Sequence, residues 1–297
     1  MNIKNALANR AAELHMALPK LLQHYAMERF LYRLSLSPVA GKFFLKGGML
    51  LMGMGAGAAR TTMDIDLLGR IDNSPESVLK AIRSIITTKP GMADGVQFGN
   101  DLRAVEIAKD ALYVGLRVSF TANVAGEPCS MKIDIGFSDE VYPRAMEMEY
   151  PSTLHELPAA RLRCYSPESM VAEKWQAMVQ LKEMNSRMKD FYDLWFLSRS
   201  CAFDYTVLKE AVARTFARRG TDPAEFSHLS TPAYLAAQQP EWAAYVRKLK
   251  AANFQKKELV AIPSRDLETV MSEIFCWLAP VMQNAEFKKW SPGKGWK

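Results

Sequence analysis

The sequence predicts an α/β (α+β) front half built on a mixed sheet and an all-helical back half, with a boundary near residue 160. Three observations predict it. Residues 61–68 alternate between apolar and polar side chains, the stretches 111–124 and 129–137 read as two further strands, and from Ser166 onward helical spacing dominates. The 297 residues suggest about two domains at roughly 100 to 200 residues each. We therefore expect one domain over 1–160, including an N-terminal helix, and a second over 161–297.

Taken in order, the first 37 residues keep helical spacing at Leu14, Leu18, Leu21, Leu22, Tyr25 and Met27, and Pro38 supplies a stop. The apolar run Phe43-Phe44-Leu45 is compatible with a buried strand and leads directly into Lys46-Gly47-Gly48. A small-residue segment to Ala59 reads as a short helix or turn. Ser74-Pro75-Glu76 combines an N-cap, a proline in the first turn and an early acid, so 75–88 is expected to be helical. A glycine-rich loop follows over 91–99, then a hairpin through Ala125-Gly126-Glu127-Pro128 and shorter extended segments to Tyr165. Ser166-Pro167-Glu168 repeats the helix-start pattern. The basic tail around Ser291-Pro292-Gly293 is expected to be poorly ordered.

Apolar residues at 49 % and charged residues at 24 % exclude disordered and collagen-like classes. No apolar run approaches the ~18 residues of a spanning helix, and no export signal is evident near the N-terminus. Cys129, Cys164, Cys201 and Cys276 are more than thirty residues apart, which suits neither a zinc site nor a disulfide framework and fits a cytoplasmic setting. The net charge of +6 divides unevenly, as +6 over 1–60, −6 over 61–160 and +6 over 161–297. An acidic middle between basic flanks suits a metal-dependent enzyme acting on a polyanion, and equally a solvated acidic surface.

The densest chemical signal runs from Lys46 to Leu68. Glycines after a strand let backbone N–H groups approach an anion, so Gly47-Gly48 reads as a phosphate seat. Asp64 and Asp66 project from one strand face, opposite Met63, Ile65 and Leu67. Such hard oxygen ligands select Mg²⁺ or Mn²⁺, the alternative being two solvated acids. Asp134, between Ile133 and Ile135, offers a third carboxylate for a two-metal site, unless it pairs with Lys132 or an arginine. Gly53, Gly55 and Ala58 satisfy a dinucleotide-binding pattern, but a strand follows where that motif needs a long helix. No P-loop is present, and the four histidines lack a metal-binding spacing.

Together K-G-G, R-x-T-x-D-x-D over Arg60–Asp66 and I-D-I over Ile133–Ile135 resemble the polymerase-β-type nucleotidyltransferases. The segments 167–177 and 187–194, with the opening 25–34, are similar to motifs of the AbiEii-type nucleotidyltransferase toxins of type IV toxin–antitoxin systems. The resemblance covers about residues 20–200. It implies a nucleotidyltransferase core, with Lys46, Gly47, Gly48, Arg60, Thr62 and Lys174 binding the nucleotide and Asp64, Asp66 and Asp134 binding metal. Lys174 and Asp190 would join those three acids as catalytic residues. From the residues alone, Lys174 either reaches solvent from its apolar helix face or meets a phosphate. Asp190 either orients Lys174, binds nucleotide or pairs with a basic neighbour such as Arg187. Arg60 is either a phosphate ligand or an ordinary surface arginine.

The expected activity is Mg²⁺-dependent transfer of a nucleotide from an NTP to the 3′ end of tRNA, blocking translation, with a cognate antitoxin encoded elsewhere and no membrane partner. Transfer to a protein or small molecule, or a nucleotide-binding regulator without turnover, are the alternatives.

Overall fold

The computed structural model describes residues 2–56, 62–110, 113–253, 262–283 and 285–297. Two units divide them. The first holds the described residues of Met1–Gly55, Thr61–Asp139 and Ala145–Tyr165, and the second those of Ala56–Arg60, Glu140–Arg144 and Ser166–Lys297.

The expected N-terminal helix is two helices, α1 (Ile3–Glu13) and α2 (Leu18–Leu36). His15 takes a left-handed backbone (φ 47°) between them. Pro19 suits the first turn of α2, where no backbone N–H is needed, and would break a helix continuing from α1. Along α2 even Glu28 and Arg29 are buried. They pair with each other at 2.6 Å, and Glu28 accepts the Thr153 backbone N–H at 2.7 Å, so each buried charge faces an opposite one.

Strand β1 (Phe43–Lys46) runs into the five-residue helix α3 (Gly47–Leu51) and a wide helical turn over Met52–Ala56. Then come β2 (Ile65–Gly69), α4 (Pro75–Ile86), β3 (Val96–Phe98), β4 (Arg103–Asp110), β5 (Tyr113–Val124), β6 (Glu127–Gly136), β7 (Met146–Tyr150) and β8 (Ala160–Cys164). Ser74 caps α4 by accepting the Ser77 N–H at 3.3 Å, as its sequence pattern predicts. The expected strand over Thr61–Leu68 begins only at Ile65, with Met63 exposed rather than packed beneath it. Thr61 lies outside the described residues. Strand β3 occupies the expected glycine-rich loop, and β4 was not foreseen.

Among the described residues these strands form one mixed sheet ordered β3-β5-β6-β2-β1-β8-β7, with β4 also paired to β5. Strand β2 runs antiparallel to β1 and parallel to β6, while β5 and β6 form the expected antiparallel hairpin. Ile65, Leu67, Ile133, Ile135, Leu116 and Val118 share one buried face. Helix α2 covers it, with Phe30 tilted against Phe120 at 6.1 Å between ring centroids. The opposite face is thereby reserved for the residues that alternate with these.

The second unit holds α5 (Pro167–Leu181), α6 (Met188–Ser200), β9 (Phe203–Asp204), α7 (Tyr205–Arg219), α8 (Pro232–Asn253), α9 (Leu267–Met282), β10 (Lys289–Ser291) and β11 (Gly295–Trp296). Ser166 caps α5 by accepting the Ser169 N–H at 3.1 Å. The expectation of an all-helical back half fails here, because β9, β10 and β11 form a small antiparallel sheet. The tail is therefore also ordered. Its basic residues suggested solvation, but Trp290 and Trp296 anchor it, their indole N–H groups donating to the Ser198 and Trp277 carbonyls at 2.7 and 2.8 Å. No described helix is long and apolar enough to cross a membrane.

Candidate active site

Strand register places four charged residues in one row. Lys46 on β1 lies opposite Asp66 on β2, Asp66 opposite Asp134 on β6, and Asp134 opposite Arg117 on β5. Register partners share a face, so the row reads plus, minus, minus, plus on the side of the sheet away from α2. Two carboxylates on neighbouring strands repel each other, and a cation on each flank offsets that repulsion.

Asp64 precedes β2, with the Thr62 hydroxyl bracing its backbone. That hydroxyl donates to the Asp64 carbonyl at 3.2 Å and accepts its N–H at 3.4 Å. Gly47 and Gly48 make room for the acidic strand. A Cβ on Gly47, whose φ is +65°, would lie 2.1 Å from Asp66 Oδ2 and 2.8 Å from Asp66 Cβ. One on Gly48 would lie 2.8 Å from the Thr62 Cβ. The glycine pair thus first serves the close approach of the chain's own Asp66 and Thr62.

Asp134 is buried and clasped by Arg117, whose Nε and Nη2 donate to its two carboxylate oxygens at 2.8 and 3.0 Å. Hydrogen bonding and charge from Asp134, joined by the charges of Asp64 and Asp66, raise the Arg117 pKa above the usual guanidinium value. Of the partners open to Asp134 in sequence, the arginine is the one observed. Lys46, also buried, donates to Asp139 and sits 3.4 Å from the Tyr165 hydroxyl, which itself donates to Asp139 at 3.2 Å. Asp139 and Tyr165 carried no signal in the sequence. Arg60 lies outside the described residues, as does Ala58 of the discounted dinucleotide pattern.

In the second unit, Lys174 on α5 lies 3.1 Å from Asp190 Oδ1 and 2.6 Å from Asp193 Oδ2 on α6. Both carboxylates are fully buried, and the lysine side chain is 11 % exposed, so the expectation that it could snorkel to solvent is wrong. Arg187 Nε stands 2.9 Å from Asp190 Oδ2, so Asp190 both holds Lys174 and pairs with its basic neighbour. Asp193 went unrecognised as a site residue, although its spacing one turn after Asp190 puts both on one face.

Residues 29–269 match the family model of the nucleotidyl transferase AbiEii toxin of type IV toxin–antitoxin systems, which is most of the chain. The chain belongs to the AbiEii nucleotidyltransferase toxin family. It is accordingly a nucleotidyltransferase, and the AbiEii family suggests an NTP as substrate and an antitoxin as partner. No curated protein matches this AbiEii chain. Among solved structures it is similar to JHP933 from Helicobacter pylori, at 16 % identity and a TM-score of 0.46 over 89 % of this chain and 92 % of the other. It is also similar to a protein from H. pylori described as a candidate nucleotidyltransferase, at 16 % identity and a TM-score of 0.46 over 91 % and 97 % of the two chains.

Nucleotidyltransferases of this kind typically use a divalent metal, and the donor chemistry suits one: Asp64, Asp66 and Asp134 offer only hard oxygens. The strand register also sets Asp66 beside Asp134. Among the described residues, however, no group of three or more His, Cys, Asp or Glu takes a metal-holding arrangement. At Asp134 each oxygen accepts one hydrogen bond from the Arg117 guanidinium and keeps a further lone pair.

Proposed function

We propose that this AbiEii chain transfers a nucleoside monophosphate from an NTP to the 3′ end of tRNA in the cytoplasm, with Mg²⁺ or Mn²⁺, and so blocks translation until an antitoxin intervenes. The observation that carries this reading is the register-paired Asp66 and Asp134, with Asp64 two residues ahead, on one sheet face of a chain in this family. Asp64, Asp66 and Asp134 would hold the ion. When bound, it would neutralise phosphate charge and acidify the attacking hydroxyl.

The acceptor hydroxyl oxygen bonds to the α-phosphorus, the bond from that phosphorus to the β-phosphate bridging oxygen breaks, and pyrophosphate departs. Asp134 accepts the hydroxyl proton. Gly47, Gly48 and Thr62 border the triphosphate and Lys46 binds its oxygens, while for Arg60 and for Lys174, held by Asp190, the nucleotide-binding role is what the family resemblance implies. Lys46 and Lys174 each lie against carboxylates, so a phosphate would share them with those acids rather than meet a bare ammonium.

Incubation with each of the four α-labelled NTPs, Mg²⁺, total RNA and a cell lysate tests the reading. Label should enter the tRNA band and vanish with chelator. Label confined to protein or a small product overturns the tRNA acceptor, and absence of label with every nucleotide overturns turnover itself.

Arg117 provides a separate check on the metal ligands. Arg117→Met removes a cation that competes for Asp134, so Mn²⁺ measured by calorimetry should bind roughly tenfold more tightly, about the worth of one charge-assisted hydrogen bond. Unchanged affinity would mean that Asp134 is not a ligand.

A further inference from the structure

A groove of about 450 Å³ lies in the second unit between the start of α6 and the later half of α8, lined in part by Arg187, Lys189, Tyr245 and Lys248. Arg187, Lys189 and Lys248 are cations among its lining residues and Glu241 a carboxylate, with Asp190 standing 2.9 Å from Arg187. The volume suits a ligand of nucleotide size. Arg247 and Lys250 are also exposed near this end of α8, but one and two residues from Lys248 they project from other sides of the helix.

A chain of ion pairs connects one lining residue to the proposed nucleotide-binding lysine. Arg187 lines the groove and stands 2.9 Å from Asp190, whose other oxygen is 3.1 Å from Lys174. A phosphate that drew Arg187 toward itself would leave more of the Asp190 charge to Lys174. Groove occupancy and the state of Lys174 are thereby linked through one buried carboxylate.

We propose that this groove seats the backbone of single-stranded RNA, with phosphates on Arg187, Lys189 and Lys248 and a nucleoside beside the half-buried Tyr245 ring. Backbone cations combined with an aromatic ring are the usual recognition chemistry for single strands. The polyanion groove stands on its own residues, while the choice of RNA rests on the proposed transfer to a tRNA end.

Fluorescence anisotropy of a labelled 12-nucleotide single-stranded RNA tests the groove without requiring turnover. Lys189→Gln/Lys248→Gln should bind at least tenfold more weakly, and the slope of log affinity against log salt should become shallower by roughly 1.4, two phosphates at about 0.7 each. Lys80→Gln/Lys89→Gln removes the same charge from exposed positions in the other unit and should change binding less than twofold. Circular dichroism and thermal melting confirm that each variant is folded, and a fluorescent NTP should bind both equally well. Equal RNA loss in both pairs would reduce the effect to net charge, and equal loss of NTP would assign the groove to the nucleotide. Unchanged RNA binding in the groove variant would also overturn the proposal. Should the wild type bind RNA here yet transfer no label to it, the proposed function fails while the groove stands.

Discussion

Gly47→Ala is expected to destabilise the first unit by about 2 to 5 kcal/mol and, like Asp66→Ala, to abolish nucleotidyl transfer. Two costs combine. The +65° φ of Gly47 is a left-handed conformation that penalises an L side chain by about 1–2 kcal/mol. The added methyl must also displace Asp66, and rotating the carboxylate is not enough, because the Asp66 Cβ itself would lie only 2.8 Å away. Overpacking of this kind costs about 1–3 kcal/mol where the backbone has to yield. Asp66 sits between Lys46 and Asp134 in the sheet register, so a shift moves the acid relative to both. Gly55→Ala is the natural control, since Gly55 has a φ of +96° but nothing among the described residues within 4 Å of its Cβ position. It should show the backbone cost alone, about 1–2 kcal/mol. Urea midpoints and label transfer on the three variants separate these terms. A Gly47→Ala protein of wild-type stability would show that the strand carrying Asp66 relaxes freely around the methyl.

The same residues show where sequence reading succeeds and stops. The starts of α4 and α5 were legible because they depend on local chemistry: Ser74 and Ser166 cap these helices through their own side chains. Alternation around Asp66 and Asp134 placed both acids opposite a buried apolar layer, which requires only the strand period. The partner of Asp134 required register. A two-residue turn at Ala125-Gly126 pairs Arg117 with Asp134, whereas a four-residue loop over 125–128 would set a different residue across from it. One choice of turn length thus separated the observed ion pair from an open question. Asp139 and Tyr165 were beyond reach for another reason. They meet Lys46 from segments 93 and 119 residues away, and such distant contacts leave no periodic trace. The tail misled because its lysines signal solvation while its tryptophans act through tertiary contacts with Ser198 and Trp277.

Lys174→Met is expected to lower stability by about 3–5 kcal/mol, so its loss of activity alone will not identify a nucleotide ligand. Asp190 and Asp193 are fully buried, and removing the ammonium leaves Asp193 charged without the lysine that lies 2.6 Å away. Breaking a buried pair from one side costs this much because the remaining charge keeps its desolvation penalty. Arg187 still faces Asp190, whereas Asp193 loses the shorter of the two lysine contacts, 2.6 against 3.1 Å. Neutralising it should therefore restore much of the loss, and Lys174→Met/Asp193→Asn is expected to recover at least half of the stability in urea unfolding. That double variant then separates the two roles open to Lys174. If the lysine binds triphosphate, the refolded double variant still binds NTP at least tenfold more weakly than wild type, and transfer stays low. If the lysine only neutralises α6, nucleotide affinity returns together with stability. A single Lys174→Met variant as stable as the wild type would instead mean that the two aspartates become protonated or hydrated at little cost, and the buried network would lose its claim to hold α5 against α6.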